Sequence, residues 1–221
     1  MRSFAFDVAH LLAGGMVVLS FLLLYQTRIT AVLNVFALQS IVLSMSVAWQ
    51  ALIQDAPHLL ITAAIALVLK GFVIPMALHR IVKKLGVQRE IEQVYGGGPT
   101  MLLGLGLVAL SILLVLPSGS NVSLLVREDL AFALSVILLG LLMMITRRNA
   151  VTQIAGFMAL ENGLVLAASG AKGMPLVVEF SVAFSILVAF IVFGVFVFRI
   201  RERFDTVDVS NIDRFRGGRG D

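Results

Sequence analysis

Three ionisable residues, Lys70, Glu161 and Glu179, lie inside long apolar runs of the sequence. A charge at the centre of a lipid bilayer costs about 3 kcal/mol or more, so each residue needs a charged partner, a wet cavity or neutralisation. Burial disfavours the charged form of an ionisable group, which allows a buried carboxyl to take up and release a proton. These residue types therefore predict proton-relay chemistry within a membrane.

The two glutamates are predicted on consecutive helices. Glu161 follows Arg148 by thirteen residues, which corresponds to about 18–20 Å of helix and places the carboxyl near the bilayer midplane. Glu179 lies about 7 Å into the next helix, at a depth that would let a proton pass between the two carboxyls. As alternatives, Glu161 could be a structural carboxyl that joins helices, and Glu179 an interfacial carboxylate paired with Lys172.

Lys70 lies near the middle of the third apolar run, and Pro75 follows about one turn later. Pro75 cannot donate a hydrogen bond to the carbonyl of Gly71, so we expect the helix to be weakened beside the lysine and to admit water. A buried lysine can then act as a proton carrier. The alternative is that Lys70 is the counter-charge of Glu161, or of a carboxylate on another subunit.

Two weaker candidates complete the predicted proton path of Glu161, Glu179, Lys70, Gln39 and His79. Gln39, at mid-depth in the second apolar run, could hydrogen-bond a relay water or join helices. His79 could pass protons at the inner mouth. Other ionisable residues fall near the outer ends of the runs and are interpreted as solvated helix ends; they are Asp7, His10, Asp55, His58, Glu128 and Asp129.

These candidates need a scaffold of membrane-spanning helices. The chain has 221 residues, 59% of them hydrophobic, with a mean hydropathy of +1.01. A soluble domain of this length could not hide so much apolar surface. A spanning helix needs about 20 apolar residues, so we predict an all-α, polytopic membrane protein with about seven spans, at 4–25, 29–53, 58–79, 100–117, 128–146, 149–169 and 174–199.

The basic residues predict the orientation. Seven spans place thirteen of the 17 Lys and Arg residues on one side of the membrane and three on the other, with Lys70 inside a span. Because basic residues collect on the cytoplasmic side, we expect a periplasmic N-terminus and a cytoplasmic C-terminus in a bacterial inner membrane. The net charge of +4 reflects this bias and does not indicate nucleic-acid binding.

A short internal repeat predicts two parallel three-helix units. Residues 27–32 read Thr-Arg-x-x-Ala-Val, and residues 146–151 show the same pattern. Residues 37–39 (Ala-Leu-Gln) resemble 159–161 (Ala-Leu-Glu), with a three-residue offset. The match is short, so chance is the alternative. The predicted division is an N-terminal three-helix unit with a cytoplasmic loop, a linking helix, a second three-helix unit and a cytoplasmic tail, at 1–99, 100–127, 128–199 and 200–221.

No cofactor or metal site is predicted. The chain has no cysteine, which excludes disulfides, thiol chemistry and iron–sulfur ligation by this chain. Its three histidines are scattered and do not have the spacing of a metal site.

The C-terminal half resembles a known family. It contains Ile-Thr-Arg-Arg-Asn at 145–149, then Ala155-Gly156, Glu161-Asn162 and a helix with Glu179. This stretch, about 128–217 with its tail, resembles the K subunit of respiratory complex I and the C subunit of multisubunit cation/proton antiporters. Those proteins have three helices, with intramembrane glutamates on the second and third.

The longer chain, taken as a whole, resembles the E component of hydrogenase-4, found in membrane-bound [NiFe] hydrogenases and formate hydrogenlyases. This resemblance implies a non-redox membrane subunit that couples redox energy to proton movement, with other membrane and peripheral subunits as partners. The alternatives are a structural linker, a complex I or antiporter subunit, and a free-standing transporter.

Two departures qualify the transfer of site residues from the K subunit. When residues 147–149 and Asn162 are matched without a gap, Glu161 falls one helical turn after the family's first glutamate, on the same helix face. Glu179 lies farther from the basic end of its helix than its counterpart does. Lys70 lies outside the K-like region, so its predicted role comes from the residue itself.

Overall fold

The computed structural model describes residues 2–85, 96–117 and 124–170, together with positions 187, 188, 191 and 194. All regular elements in these ranges are helical, which confirms the all-α prediction there. They are α1 (Arg2–Tyr25), α2 (Ile29–Gln54), α3 (Pro57–Ala66), a π-helical segment (Leu67–Val73), α4 (Ile74–Leu85), α5 (Gly97–Val115), α6 (Leu124–Thr146) and α7 (Ala150–Gly170).

Six helical stretches in the described ranges are long and apolar enough to cross a membrane, so the chain is a multi-pass membrane protein. The third span joins α3, the π-helical segment and α4 into one stretch, Pro57–Lys83, and is longer than the predicted 58–79. The fourth span is Gly97–Val115, slightly earlier than the predicted 100–117. The predicted seventh span, with Glu179, and the tail lie outside the described residues.

A tight turn between α2 and α3 follows from two residues. Asp55 adopts the left-handed backbone conformation, with φ of 52°, and its N–H donates to the carbonyl of Ala51. Pro57 then begins α3, where its missing N–H costs no hydrogen bond. The second and third spans are therefore antiparallel neighbours.

Glycines bring α6 and α7 into close contact. A Cβ at Gly140 would lie 2.5 Å from the backbone nitrogen of Leu160, and one at Gly163 would lie 2.8 Å from that of Ile137. Small residues permit such approach between membrane helices. Because Leu160 is next to Glu161, this packing turns the Glu161 segment of α7 into the bundle.

The interior of the bundle contains two apolar cores. Helix α1 packs against α2 and α6, α2 packs against α7 and the third span, and α5 lies against α6 and α1. The first core lies toward the end of α1 and includes Leu33, Phe36, Ile74, Leu142 and Met158. The second core lies toward the start of α1 and includes Met16, Leu43, Val47, Val136 and Val165.

Candidate functional site

A layer of buried polar side chains separates the two apolar cores. Along each helix that contributes to it, residues of one core precede the polar position and residues of the other core follow it. We call this set the central polar layer; it consists of Ser20, Gln39, Ser40, Lys70, Glu161 and Asn162. Four spans contribute to it, which places polar chemistry in the middle of an otherwise apolar bundle.

Lys70 and Glu161 form an ion pair within this layer. The Nζ atom of Lys70 lies 3.1 Å from Oε1 of Glu161, and the two side chains are 2% and 4% exposed. A buried ion pair needs good geometry and further hydrogen bonds to offset the loss of hydration. Two of the ionisable residues predicted from the sequence are therefore in direct contact, as the counter-charge alternative for Lys70 requires.

Asn162 connects this ion pair to helix α2. Its Oδ1 atom accepts a hydrogen bond from Nζ of Lys70 at 3.1 Å. Its Nδ2 atom donates to Oε1 of Gln39 at 3.3 Å and to Oγ of Ser40 at 3.4 Å. Because an ammonium group can only donate, the lysine requires the oxygen of Asn162, and the amide nitrogen is then directed at α2.

The hydrogen bonds continue from α2 to α1. Gln39 donates from Nε2 to Oγ of Ser20 at 2.8 Å, and Ser20 donates to the carbonyl of Met16 at 2.9 Å. All donors between Lys70 and Met16 therefore point in the same direction. Asn162 and Gln39 are carboxamides, which do not ionise near neutral pH, so Lys70 and Glu161 are the ionisable residues of this layer.

The backbone beside Lys70 is widened into a π-helical turn. The N–H of Ile74 donates to the carbonyl of Leu69, five residues back, instead of to the carbonyl of Lys70 as in an α-helix. Pro75 has no N–H for the next position. The predicted weakening of this helix thus takes the form of a π-turn, a feature often found at functional sites.

Relatives match almost the entire chain. It is 30% identical over 207 residues to the uncharacterized protein Rv0085 of Mycobacterium tuberculosis, covering 92% of this chain and 94% of that protein. It is 28% identical over 212 residues to hydrogenase-4 component E of Escherichia coli K12, covering 95% and 98%. The chain belongs to the hydrogenase-4 component E family.

The same identity and coverage are found for hydrogenase-4 component E of Escherichia coli O157:H7 and of Shigella flexneri. No family model matches the chain, and no solved structure matches it. The hydrogenase-4 component E relatives confirm the predicted resemblance over nearly the full length of the chain.

The remaining predicted site residues of the chain differ in their placement. Gln39 lies in the central polar layer. His79 lies on α4, about 13 Å along the helix from Lys70, and its Nδ1 atom is 2.9 Å from the carbonyl oxygen of Pro75. Glu179 falls outside the described residues, so its predicted proximity to Glu161 stays a prediction.

Three members of the layer are not among the residues predicted from the sequence: Ser20, Ser40 and Asn162. Each is a polar residue in an apolar helix at a depth near that of Lys70 or Glu161, and that common depth was the available signal. Successive residues of an α-helix point about 100° apart, yet the side chains of Glu161 and Asn162 both contact Lys70. The long, flexible Lys70 side chain bridges the two adjacent positions.

The interpretation of His10 and Asp129 as solvated ends is wrong, and the more exposed Glu128 joins them in one cluster. Oε2 of Glu128 lies 2.6 Å from Nε2 of His10, and Oδ1 of Asp129 lies 3.2 Å from Nδ1. The side chains are 22%, 37% and 17% exposed for His10, Glu128 and Asp129. The packing of α1 on α6 brings these residues together from distant parts of the sequence.

Arg147 was assigned to a cytoplasmic connector, but its side chain is buried. It donates from Nη2 to the carbonyl of Leu24 at the end of α1, and Gln153 donates to its backbone carbonyl. Burial lowers the pKa of the Arg147 guanidinium, which nevertheless remains a cation at neutral pH. A cation at this position also interacts favourably with the α1 dipole, so Arg147 fastens the end of α1 to the α6–α7 turn.

Proposed function

We propose that this chain is a non-redox membrane subunit of a hydrogenase-type complex, and that its Lys70–Glu161 pair carries protons in coupling redox energy to ion movement. The relatives named as component E of hydrogenase-4 support the assignment to such a complex. The buried ion pair in the central polar layer is the observation that carries the proton role. The redox cofactors and the catalytic turnover would belong to partner subunits.

The chemistry of the pair follows from its charge balance. Transfer of one proton from Nζ of Lys70 to Oε1 of Glu161 converts an ammonium and a carboxylate into an amine and a carboxylic acid, with no change in net charge. Loss of that proton from Glu161 leaves one net negative charge, and uptake of another proton by Lys70 restores the starting charge. Because charges interact strongly in a weakly polar interior, a charge change in a neighbouring subunit would bias these steps.

The two apolar cores favour a proton path that opens only when water enters, and they argue against a permanently open water channel. They lie on both sides of the ion pair, in the directions of both membrane surfaces. A proton could reach the pair only when water enters one core, which prevents a continuous leak. The π-turn offers an entry point from the Lys70 side, because the Lys70 carbonyl does not receive the α-helical hydrogen bond from Ile74 and can bind water.

We also propose that the two-unit repeat is real. In the described helices, α1 contacts α6 and α2 contacts α7, so each helix packs against its repeat counterpart. Ser40 and Asn162, which are equivalent under the three-residue offset, lie 3.4 Å apart. Equivalent positions meet in this way close to a two-fold axis. The seventh span, with Glu179, would then be the counterpart of the third span, within the division at 1–99, 100–127, 128–199 and 200–221.

The proposed orientation has a periplasmic N-terminus and a cytoplasmic C-terminus in the bacterial inner membrane, on the basis of the charge bias. The absence of cysteine makes it testable without a background signal. Single cysteines at Asp55 and at Arg148 should react with a membrane-impermeant thiol reagent from the periplasmic and cytoplasmic sides, respectively. Labelling of both from one side would contradict this topology.

The proton role is tested by Glu161→Gln in the full complex, reconstituted in lipid vesicles. We expect the complex to assemble and to lose coupled proton movement, because the amide cannot be protonated at neutral pH. Asp55→Asn is the matched control: it makes the same carboxyl-to-amide change at an exposed position, where asparagine tolerates the left-handed backbone. Wild-type coupling in the Glu161 variant would sink the proton role and leave a structural linker.

The structural-linker alternative has one observation in its favour. The hydrogen bonds from Lys70 through Asn162 and Gln39 to Ser20 join four spans, and such buried networks can specify helix packing. A linker requires this network but not a titratable group. Loss of assembly in Glu161→Gln, without a separate effect on coupling in the complex that remains, would favour the linker.

A further inference from the structure

A second ionisable cluster lies at the side of the membrane where α1 and α6 begin. His10 of α1 contacts Glu128 through one ring nitrogen and Asp129 through the other, at 2.6 and 3.2 Å. The ring of Phe132 stands edge-on to the imidazole, with centroids 6.3 Å apart. We call these three ionisable residues the His10 cluster.

The contacts of the His10 cluster favour a shared proton. Nε2 of His10 is hydrogen-bonded to Glu128, whereas the buried Nδ1 of His10 and Oδ1 of Asp129 lie 3.2 Å apart without forming a hydrogen bond. A neutral imidazole has one N–H group and one acceptor nitrogen. If both carboxyls were ionised, the acceptor nitrogen would face a carboxylate with no proton between them. Both contacts become favourable when one further proton is present, either as imidazolium or as a carboxylic acid. The cluster then carries one net negative charge and holds one exchangeable proton.

Few other charges compete for this proton among the helices that pack around it. On α1, Asp7 lies about one turn before His10 and is exposed. On α6, Arg127 donates from Nη1 to the carbonyl of Leu116. Helices α2 and α5 contain no ionisable residue within Ile29–Gln54 and Gly97–Val115, and Glu161 is the one ionisable residue of α7.

The position of the cluster relates it to the central polar layer. His10 precedes Ser20 by ten residues on α1, which is about 15 Å of helix. The second apolar core, including Ala13, Met16 and Val136, lies between them. Glu128 is the most exposed member of the cluster, so a proton held there can exchange with solvent on that side.

We propose that His10, Glu128 and Asp129 form a proton-holding site that exchanges protons between the central polar layer and the surface where α1 and α6 begin, the periplasmic surface in the proposed orientation. This inference rests on the proposed function. A proton that leaves Glu161 is taken up by the cluster, whose net charge rises from minus one to zero. The cluster then returns a proton to solvent through Glu128, which restores its own charge, and uptake of another proton by Lys70 restores the charge of the central polar layer.

The first test detects the shared proton without measuring transport. Infrared difference spectra of the purified complex are recorded between mildly acidic and alkaline pH, for wild type, His10→Gln and the pair Glu128→Gln with Asp129→Asn. We expect a carboxylic-acid or imidazolium band that both changes remove. Asp7→Asn and His58→Gln, which alter exposed residues of the same types, should keep it. A band that persists in the His10 and Glu128/Asp129 variants would overturn the proposal.

The second test measures the rate of coupled proton movement in vesicles while the pH on the His10 side is varied. We expect His10→Gln to lower the rate about 100-fold or more, the effect typical of a lost acid–base group, and to change its dependence on that pH alone. Loss of the infrared band with wild-type rates and pH dependence would also overturn a place on the path. Full coupling in Glu161→Gln would instead refute the proposed function, and the infrared result would remain interpretable.

Discussion

Removing the charges of Lys70 and Glu161 one at a time and together gives a quantitative test of their contact. Each single variant, Lys70→Met or Glu161→Met, leaves the other charge buried in the central polar layer. Breaking a buried pair in this way typically costs about 3–5 kcal/mol. Lys70 and Glu161 are almost fully buried, and their charged atoms lie 3.1 Å apart. We therefore expect each single variant to lose about 3–5 kcal/mol of stability.

The double variant is expected to be more stable than either single variant. Replacing both charges by apolar side chains of similar volume is often neutral or stabilising. Here Asn162 also loses the donor that Lys70 supplies, and an unsatisfied buried acceptor costs about 1–3 kcal/mol. We therefore expect a total loss of about 1–3 kcal/mol, well below the sum of the two single losses.

The free energies of unfolding are measured for the four proteins in detergent, with denaturant or heat and the amount of assembled complex as an independent check. Contacting residues show interaction energies of about 0.5–3 kcal/mol or more, whereas separated residues are additive within about 0.5 kcal/mol. Additive losses, or a double variant less stable than both single variants, would refute the contact and the charge argument built on it.

Three further changes test the parts of the fold that support this pair. Gly140→Ala should destabilise the protein by about 1–3 kcal/mol or more, the typical cost of overpacking a tight contact, because the new Cβ lies 2.5 Å from the backbone of Leu160. The measurement is thermal unfolding, and the control is Gly106→Ala, where a Cβ meets no described atom within 4 Å. Asn162→Ala should lower stability by about 1–3 kcal/mol by leaving Lys70 and Gln39 short of partners, and an unchanged unfolding midpoint would contradict the network. Pro75→Ala should increase protection of the third-span amides from hydrogen exchange, because the helix gains an N–H donor, and unchanged protection would mean that proline does not maintain the π-turn.

The depth of the central residues was predictable, but their partners were not. Counting residues from Arg148 and from the ends of the third run placed Glu161 and Lys70 near mid-membrane, since helical rise per residue is nearly constant. Their contact depends on how the third span and α7 meet across α2. That arrangement is set by tertiary packing and by the π-turn, whose extra residue changes the direction of Lys70. The geometry of an ideal α-helix predicts neither the tertiary packing nor the π-turn.

Neighbouring helices also explain the errors near the ends of the spans. His10 and Glu128 are separated by 118 positions, and each alone has the appearance of a solvated helix end. Only the contact between α1 and α6 brings them together. Arg147 was counted correctly as a basic connector residue, but the short α6–α7 turn places it beneath the end of α1. Charge counts report the side of a membrane and not burial.

The most direct test of the proton role is the number of protons moved per electron pair by the reconstituted complex carrying both Lys70→Met and Glu161→Met. Because this variant contains no buried unpaired charge at the site, it is expected to assemble and to retain electron transfer. We predict that coupled proton movement is lost while electron transfer continues. A wild-type ratio of protons to electrons in the double variant would contradict it.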